Sequence, residues 1–379
     1  MKIGITCYPS AGGSGVMATE LGRRLARQGH EIHFISSALP MRLRAFDENI
    51  FFHEVIPESY PLFQYPPYDL SLATKMYDVA VLHNLDILHV HYAIPFAVSA
   101  LLAREMLKPR KITTVTTLHG TDITLVGVLP SFQKVTQFSI NHSDGVTAVS
   151  RWLKQQTLDS FEITKPVEVI TNFLDTQVFR PRQDLRYRCR MAPKGEKIVM
   201  HISNFRPVKN VETVVRVFAR LREHHDARLI FIGEGPEQMR AEQLAHTLGV
   251  EKHVAFMGNQ EFIEELLPAA DLFLLPSLHE SFGLVALEAL SSGVPVIATS
   301  RGGTGEVIRH GITGFLHDPD DVEGMVQTGL RILDDPDLRA RIGDAARKDA
   351  VERFDVDYIL PQYLAFYDRC RTEVMGRTG

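Results

Sequence analysis

The chain has 379 residues, with 41 Lys plus Arg against 46 Asp plus Glu, a formal charge of −5, and 45% hydrophobic and 23% charged residues. Single cores stop growing at roughly 250 to 300 residues, so two domains are expected, and the composition excludes a disordered, collagen-like or coiled-coil chain. A mildly acidic chain carries no strong positive field, so neither nucleic acid nor an anionic membrane is expected as a partner, and an anionic ligand must be held by local features.

Lys2 leads straight into Ile3-Gly4-Ile5-Thr6, so no signal peptide is expected. The longest apolar run, near residues 90–103, carries His91 and Pro95 and is shorter than the roughly 20 residues of a membrane span. Cys7, Cys189 and Cys370 are few and far apart, which fits a reducing cytoplasm better than a disulfide framework or a paired zinc motif.

Short β-branched runs alternate with amphipathic stretches, the pattern of βαβ units and parallel sheets. Strands are predicted near residues 2–6, 31–35, 51–56, 87–91, 112–117, 145–149 and 167–171, which make one doubly wound unit. A second series near 197–203, 228–232, 253–257, 271–275 and 294–298 repeats the architecture. Between them, Phe179-Arg180-Pro181-Arg182-Gln183-Asp184 and the charged stretch to Lys197 interrupt the periodicity. The expected division is therefore 1–175 for an N-terminal domain, 176–195 for a connector and 196–356 for a C-terminal domain. Residues 357–379 read as an amphipathic helix, with Tyr358, Leu360, Tyr363, Phe366 and Tyr367 as its apolar surface, free to pack back on the first domain. Residues 57–67 hold four prolines with Tyr60, Phe63 and Tyr65, and read as an ordered loop.

Three motifs carry chemistry. The first strand runs into Gly12-Gly13-Ser14-Gly15-Val16 and then a helix. Glycines let a ligand approach the backbone and free amides favour an anion, although a tight strand-to-helix turn explains the same residues equally well. The second domain opens with Ser203-Asn204-Phe205-Arg206-Pro207-Val208-Lys209-Asn210 after a strand, at the carboxyl edge where α/β sheets bind ligands. Arg206 and Lys209 could neutralise a diphosphate there, and a solvated charged loop is the plain alternative. The third motif runs from Ser277 through Glu280-Ser281-Phe282-Gly283-Leu284 to Glu288, with a helix expected from about Phe282. Glu280 would then sit in the loop and accept sugar hydroxyls, Glu288 would lie in the helix and grip a ribose, and the amides near Gly283 would meet phosphate.

Glu280 and Glu288 eight residues apart, with Arg206, Lys209 and the Gly12-Gly13 turn, resemble the donor site of retaining GT-B glycosyltransferases of family four. The runs Ser291-Ser292-Gly293-Val294-Pro295 and Gly302-Gly303-Thr304-Gly305-Glu306 are similar to that family too, so the likeness spans both halves. It implies an α/β fold of two Rossmann-like doubly wound parallel-sheet domains facing across a cleft. On the acceptor side, Phe63-Gln64-Tyr65-Pro66-Pro67, His89-Val90-His91-Tyr92 and Leu118-His119-Gly120-Thr121-Asp122 resemble the family members that act in bacillithiol biosynthesis. That likeness implies UDP-N-acetylglucosamine as donor and the 2-hydroxyl of L-malate as acceptor, with retention, no enzyme nucleophile and no cofactor.

The same resemblance implies the site residues. Lys209, Arg206, Glu280 and His119 would serve catalysis, His119 through a hydroxyl of the donor sugar. Gly13, Asn204, Asn259, Ser281, Phe282, Gly283, Leu284 and Glu288 would bind the donor. Ser14, Gly15, Arg42, Tyr92 and Thr121 would bind malate, with Arg42 equally readable as a solvated cation. Asn172 would mark the crossing between domains. No metal is expected: Asp318, Asp320, Asp321, Asp355 and Asp357 precede helices, where aspartates cap amides, and the sixteen histidines look scattered. Other acceptors, a sugar, an inositol phosphate or a lipid-linked glycan, stay open, as do an epimerase, a nucleotide-sugar sensor and a homo-oligomer.

Overall fold

The computed structural model describes residues 1–10, 12–43, 47–182 and 186–376. Its chain divides into two units, one of Met1–Asn172 joined by the segment from Ile359 onward, the other of Phe173–Tyr358.

In the first unit, β1 (Lys2–Thr6), β2 (Glu31–Ser36), β3 (Ile50–Glu54), β4 (Ile87–His91), β5 (Thr113–Leu118), β6 (Gly145–Ala148) and β7 (Glu168–Val169) form one sheet in the order β3-β2-β1-β4-β5-β6-β7. Every pairing is parallel. A parallel sheet is covered on both faces, so its central strands are near-continuous apolar runs: Ile3 and Ile5 of β1 and all of β4 are buried. The helix Val356–Gly376 contributes Tyr363, Phe366, Tyr367 and Cys370 to buried positions, and the Tyr367 hydroxyl meets His89 Nδ1 of β4 at 2.7 Å. Tyr358, expected on the apolar surface, is 60% exposed.

The second unit repeats the plan with β8 (Lys197–Ile202), β9 (Ala227–Ile232), β10 (Val254–Phe256), β11 (Leu272–Leu275), β12 (Val296–Thr299) and β13 (Phe315–His317), ordered β10-β9-β8-β11-β12-β13 and parallel throughout. The helix Val211–Arg222 buries Val211, Val214, Val215, Phe218 and Leu221, the spacing of one helical face, against Val199, Leu229 and Leu272 in a single core. β13 was not predicted: it has three residues, two of them half-buried, after the turn-like Gly311-Ile312-Thr313-Gly314.

The stretch expected as a connector is part of this unit. Gln183 and Asp184 lie outside the described residues, but the helix Arg186–Met191 follows, and Arg188 reaches the Ala269 carbonyl at 2.6 Å and Asp271 Oδ2 at 2.8 Å. That same Asp271 oxygen accepts the Ile198 amide at the start of β8, at 2.8 Å. Among the described residues no helix is long and apolar enough to cross a membrane.

Candidate active site

In both sheets the order reverses beside the first strand, between β1 and β4 and between β8 and β11. Chain leaving such neighbours in opposite directions opens a crevice at their carboxyl ends, the place where open α/β sheets bind ligands.

In the second unit the loop after β8 is shaped by its own residues. Phe205, fully buried with a φ of +38°, packs edge-on against Phe231 at 5.5 Å, so Arg206 is turned outward into a single helical turn, Pro207–Lys209. Asn210 donates to the Pro276 carbonyl at 3.1 Å, and the Leu278 amide donates to the Val208 carbonyl at 2.8 Å. These two bonds stitch the loop after β8 to the loop after β11. The result is a short ion pair: Lys209 Nζ lies 2.6 Å from Glu280 Oε1, and Ser277 Oγ donates to the same oxygen at 2.7 Å. The Glu280 backbone is fixed from the other side, where Gly303 donates to its carbonyl at 2.7 Å. Gly302 has a φ of +99°, and a Cβ there would stand 2.1 Å from that carbonyl oxygen, so only glycine fits.

The helix expected from Phe282 starts at Leu284, with Gly283 as its N-cap at a φ of +90° and no side chain capping it. Gly283, which is buried, and half-buried Leu284 thus form the start of this helix. Phe282 differs: its ring is buried against Phe354 at 5.8 Å, so its side chain serves packing. Glu288 lies one turn further along and is buried, and Ser281 is half-buried. Asn204 and Asn259 are exposed on the loops after β8 and β10.

In the first unit, Gly13 is the first residue of the helix Gly13–Arg27, which no side chain caps, and is exposed beside half-buried Ser14. Gly15, expected to touch the acceptor, is buried, and a Cβ there would meet the Tyr8 carbonyl at 2.5 Å and the Ser10 carbonyl at 2.7 Å. Its glycine answers to close packing of the helix on the preceding loop. Arg42 is paired with Glu20 at 3.6 Å. Tyr92, at a φ of +106°, sets its ring 5.5 Å from that of His119 and 5.3 Å from Tyr8. Thr121 opens the short helix Thr121–Thr124.

His119 does not stand alone. Its Nε2 is 2.8 Å from His91 Nδ1, and burial pushes the His119 pKa down to about 3 and that of His91 well below its usual value, so both rings are neutral hydrogen-bonding groups. Sequence reasoning missed Asp122. Its carboxylate takes the amides of Ala93 at 2.9 Å, Gly120 at 2.9 Å and His119 at 3.2 Å, and burial raises its pKa to about 6 although those amides pull it down. It thereby joins the loops after β4 and β5. The available signal was an aspartate two residues past a glycine at a strand end, a place where a buried carboxylate gathers amides.

Among the acidic groups, Asp321 caps the helix Val322–Asp334 through the Gly324 amide, Asp318 and Asp320 pair with Arg301 at 2.9 and 3.0 Å, and Asp355 accepts from the Thr176 hydroxyl and the Asp357 amide. The histidines, read as scattered, are in part gathered: His33, His53 and His83 form a second group. Parallel register joins residues that are distant along the chain, which linear spacing does not display.

Two family models cover most of the chain, glycosyltransferase family 4 over residues 11–178 and glycosyl transferases group 1 over residues 190–349. The N-acetyl-alpha-D-glucosaminyl L-malate synthase of Bacillus anthracis is 48% identical over 379 residues, covering 100% of this chain and 99% of its own. A glycosyltransferase of Rickettsia africae superposes with a TM-score of 0.82 at 23% identity, over 100% of this chain and 99% of that one. Anabaena HepE in complex with UDP and glucose gives 0.82 at 22% identity, over 96% and 98%. The two parallel sheets are therefore those of the GT-B fold, and the chain belongs to the family 4 glycosyltransferases.

Proposed function

We propose that this chain is a cytoplasmic, metal-independent retaining glycosyltransferase that moves N-acetylglucosamine from UDP-N-acetylglucosamine to the 2-hydroxyl of L-malate, the first step of bacillithiol biosynthesis. The observation that carries the reading is the full-length likeness to the malate synthase of Bacillus anthracis at 48% identity. The geometry supports it with a cation pair, Arg206 and Lys209, and two acids, Glu280 and Glu288, around the β8–β11 switch point.

In this reading the second unit holds the donor. Arg206 and Lys209 face the diphosphate, where positive charge stabilises the departing UDP as its charge develops. Lys209 is presented by Glu280, and Glu280 accepts a sugar hydroxyl with its remaining oxygen. Glu288 takes the ribose hydroxyls, and the amides at Gly283 and Leu284 take phosphate oxygens at the helix start. The first unit supplies His119 to a sugar hydroxyl and Gly13 to the donor, and Ser14, Tyr92, Thr121 and Arg42 to the malate dianion. The acceptor proton passes to the β-phosphate oxygen of the leaving group on the face of attack, so the anomeric configuration is kept and no side-chain nucleophile is used.

The test is an acceptor screen with UDP-N-acetylglucosamine in chelator, following UDP release and product mass. The expected result is an α-linked adduct formed only with malate. Product with another hydroxyl acceptor alone discards malate and keeps the transferase. UDP release without any acceptor replaces transfer by hydrolysis or epimerisation, and turnover abolished by chelator removes metal independence.

A further inference from the structure

Alternate residues of a strand share one face, and register decides which residues of the next strand join them. Glu31 and His33 share a face of β2. In the β2–β3 pairing, His33 lies opposite Phe51 and Ile35 opposite His53, which makes His53 the diagonal neighbour of His33 on the outermost strand of the sheet. The helix Tyr68–His83 ends beside them, closed by Asn84 at a φ of +55°. The three rings pack together, with centroids 4.3 Å apart for His33 and His83 and 5.2 Å for each of the other pairs. One ring nitrogen from each lies within 4.8 Å of the others.

The hydrogen bonds orient this group. His33 Nε2 is 2.9 Å from Glu31 Oε1, and Glu31 is itself held by Lys2 at 3.1 Å. A neutral imidazole carries one N–H, so a proton on Nε2 facing the carboxylate leaves the Nδ1 lone pair directed at His53 Nε2, 2.9 Å away. Phe51 stacks on the His33 ring at 5.0 Å and 17°, and His33 is fully buried.

We propose that His33, His53 and His83 form a binding site for a divalent metal ion of the zinc class, with Glu31 as the carboxylate that orients His33. Three imidazoles without a carboxylate ligand suit zinc, copper or nickel and not magnesium or calcium. A carboxylate on the far nitrogen of a ligating histidine fixes the tautomer that ligation needs. Two nitrogens bound to one tetrahedral zinc stand about 3.3 Å apart, so the His33–His53 contact opens by a few tenths of an ångström and the ion replaces the proton between them. Three protein ligands leave a fourth position for water. The ion would clip the edge strand β3 and the end of the helix Tyr68–His83 to β2, and it shares no residue with the transfer machinery.

The test uses the full chain, stripped with chelator, dialysed, and titrated with Zn²⁺ alone and with Co²⁺ alone. The expected result is one saturating equivalent, the strong visible absorption of four-coordinate Co²⁺, and a raised Tm with Zn²⁺. His53→Gln and His83→Gln lose at least tenfold in affinity, and Glu31→Gln loses about 10 to 100-fold. Malate-transfer turnover of His53→Gln and His83→Gln, unchanged from the parent, shows that both still fold. Metal binding that survives both histidine substitutions assigns the ion elsewhere and overturns the proposal, as does the absence of saturable binding to the parent chain.

Discussion

The carboxylate of Asp122 accepts the backbone amide of Ala93 at 2.9 Å across 29 residues of chain, and so ties the loop that carries Tyr92 to the loop that carries His119. In Asp122→Asn, the side-chain NH2 must face at least one of the three amides that the carboxylate now satisfies. The expected cost is about 1–3 kcal/mol, the price of an unsatisfied buried donor. Urea unfolding of the two proteins measures it, and equal midpoints with equal slopes would show that the loops are held by other contacts.

Lys209→Ala removes the charge that Glu280 holds in place. Turnover should fall by about 10² to 10³-fold, the scale on which loss of one preorganised transition-state contact is felt. The far-UV circular dichroism should not change, because Glu280 keeps its bond to Ser277. Steady-state UDP release reads the first quantity, and near-normal turnover would remove Lys209 from the diphosphate.

Glu288→Gln keeps the buried shape one turn into the helix Leu284–Ser291 and removes the negative charge. UDP affinity by calorimetry should drop about tenfold, since a hydrogen bond to a charged group contributes about 1.5–3 kcal/mol. Unchanged UDP affinity would take the ribose away from this residue.

His89 supplies a pH dependence. Burial lowers its pKa to about 3, so the folded protein keeps the ring neutral while the unfolded chain protonates it near pH 6.5. A depressed folded pKa gives stability that is present above pH 6.5 and is lost as pH falls toward 3. Between pH 7 and pH 5 this one ring accounts for about 2 kcal/mol. Replacing it in His89→Gln should shrink the pH 7 to pH 5 difference in unfolding free energy by that amount. A difference as large as in the parent would assign the acid sensitivity to other groups.

The strands were legible because a parallel sheet buried on both faces demands short apolar runs, such as Ile3-Gly4-Ile5 and Leu272-Phe273-Leu274-Leu275, which lie buried in their sheets. Lys209 and Glu280 were legible as types at a strand end, but their pairing was not, since it is made by Asn210 and Leu278 bonding across two loops. Motif position does not reveal which way a residue faces: the Phe282 ring packs on Phe354, and Gly15 lies against the carbonyl of Tyr8. Asp122 and the His33 group were missed for the same reason at longer range. Their partners lie on other strands, loops and helix ends that the fold brings together, a property of several segments at once.

Tyr367, fully buried and bonded to His89, makes residues from 359 onward part of the first unit, although the whole second unit lies between them in the chain. Folding during synthesis generally proceeds domain by domain from the N-terminus. Here Tyr367, beside His89 of β4, and Phe366 and Cys370, beside Gly145 of β6, are synthesised only after about two hundred further residues have been made. The last residues of the first unit are therefore translated after the whole of the second, so a domain-by-domain order of folding cannot simply follow the order of translation.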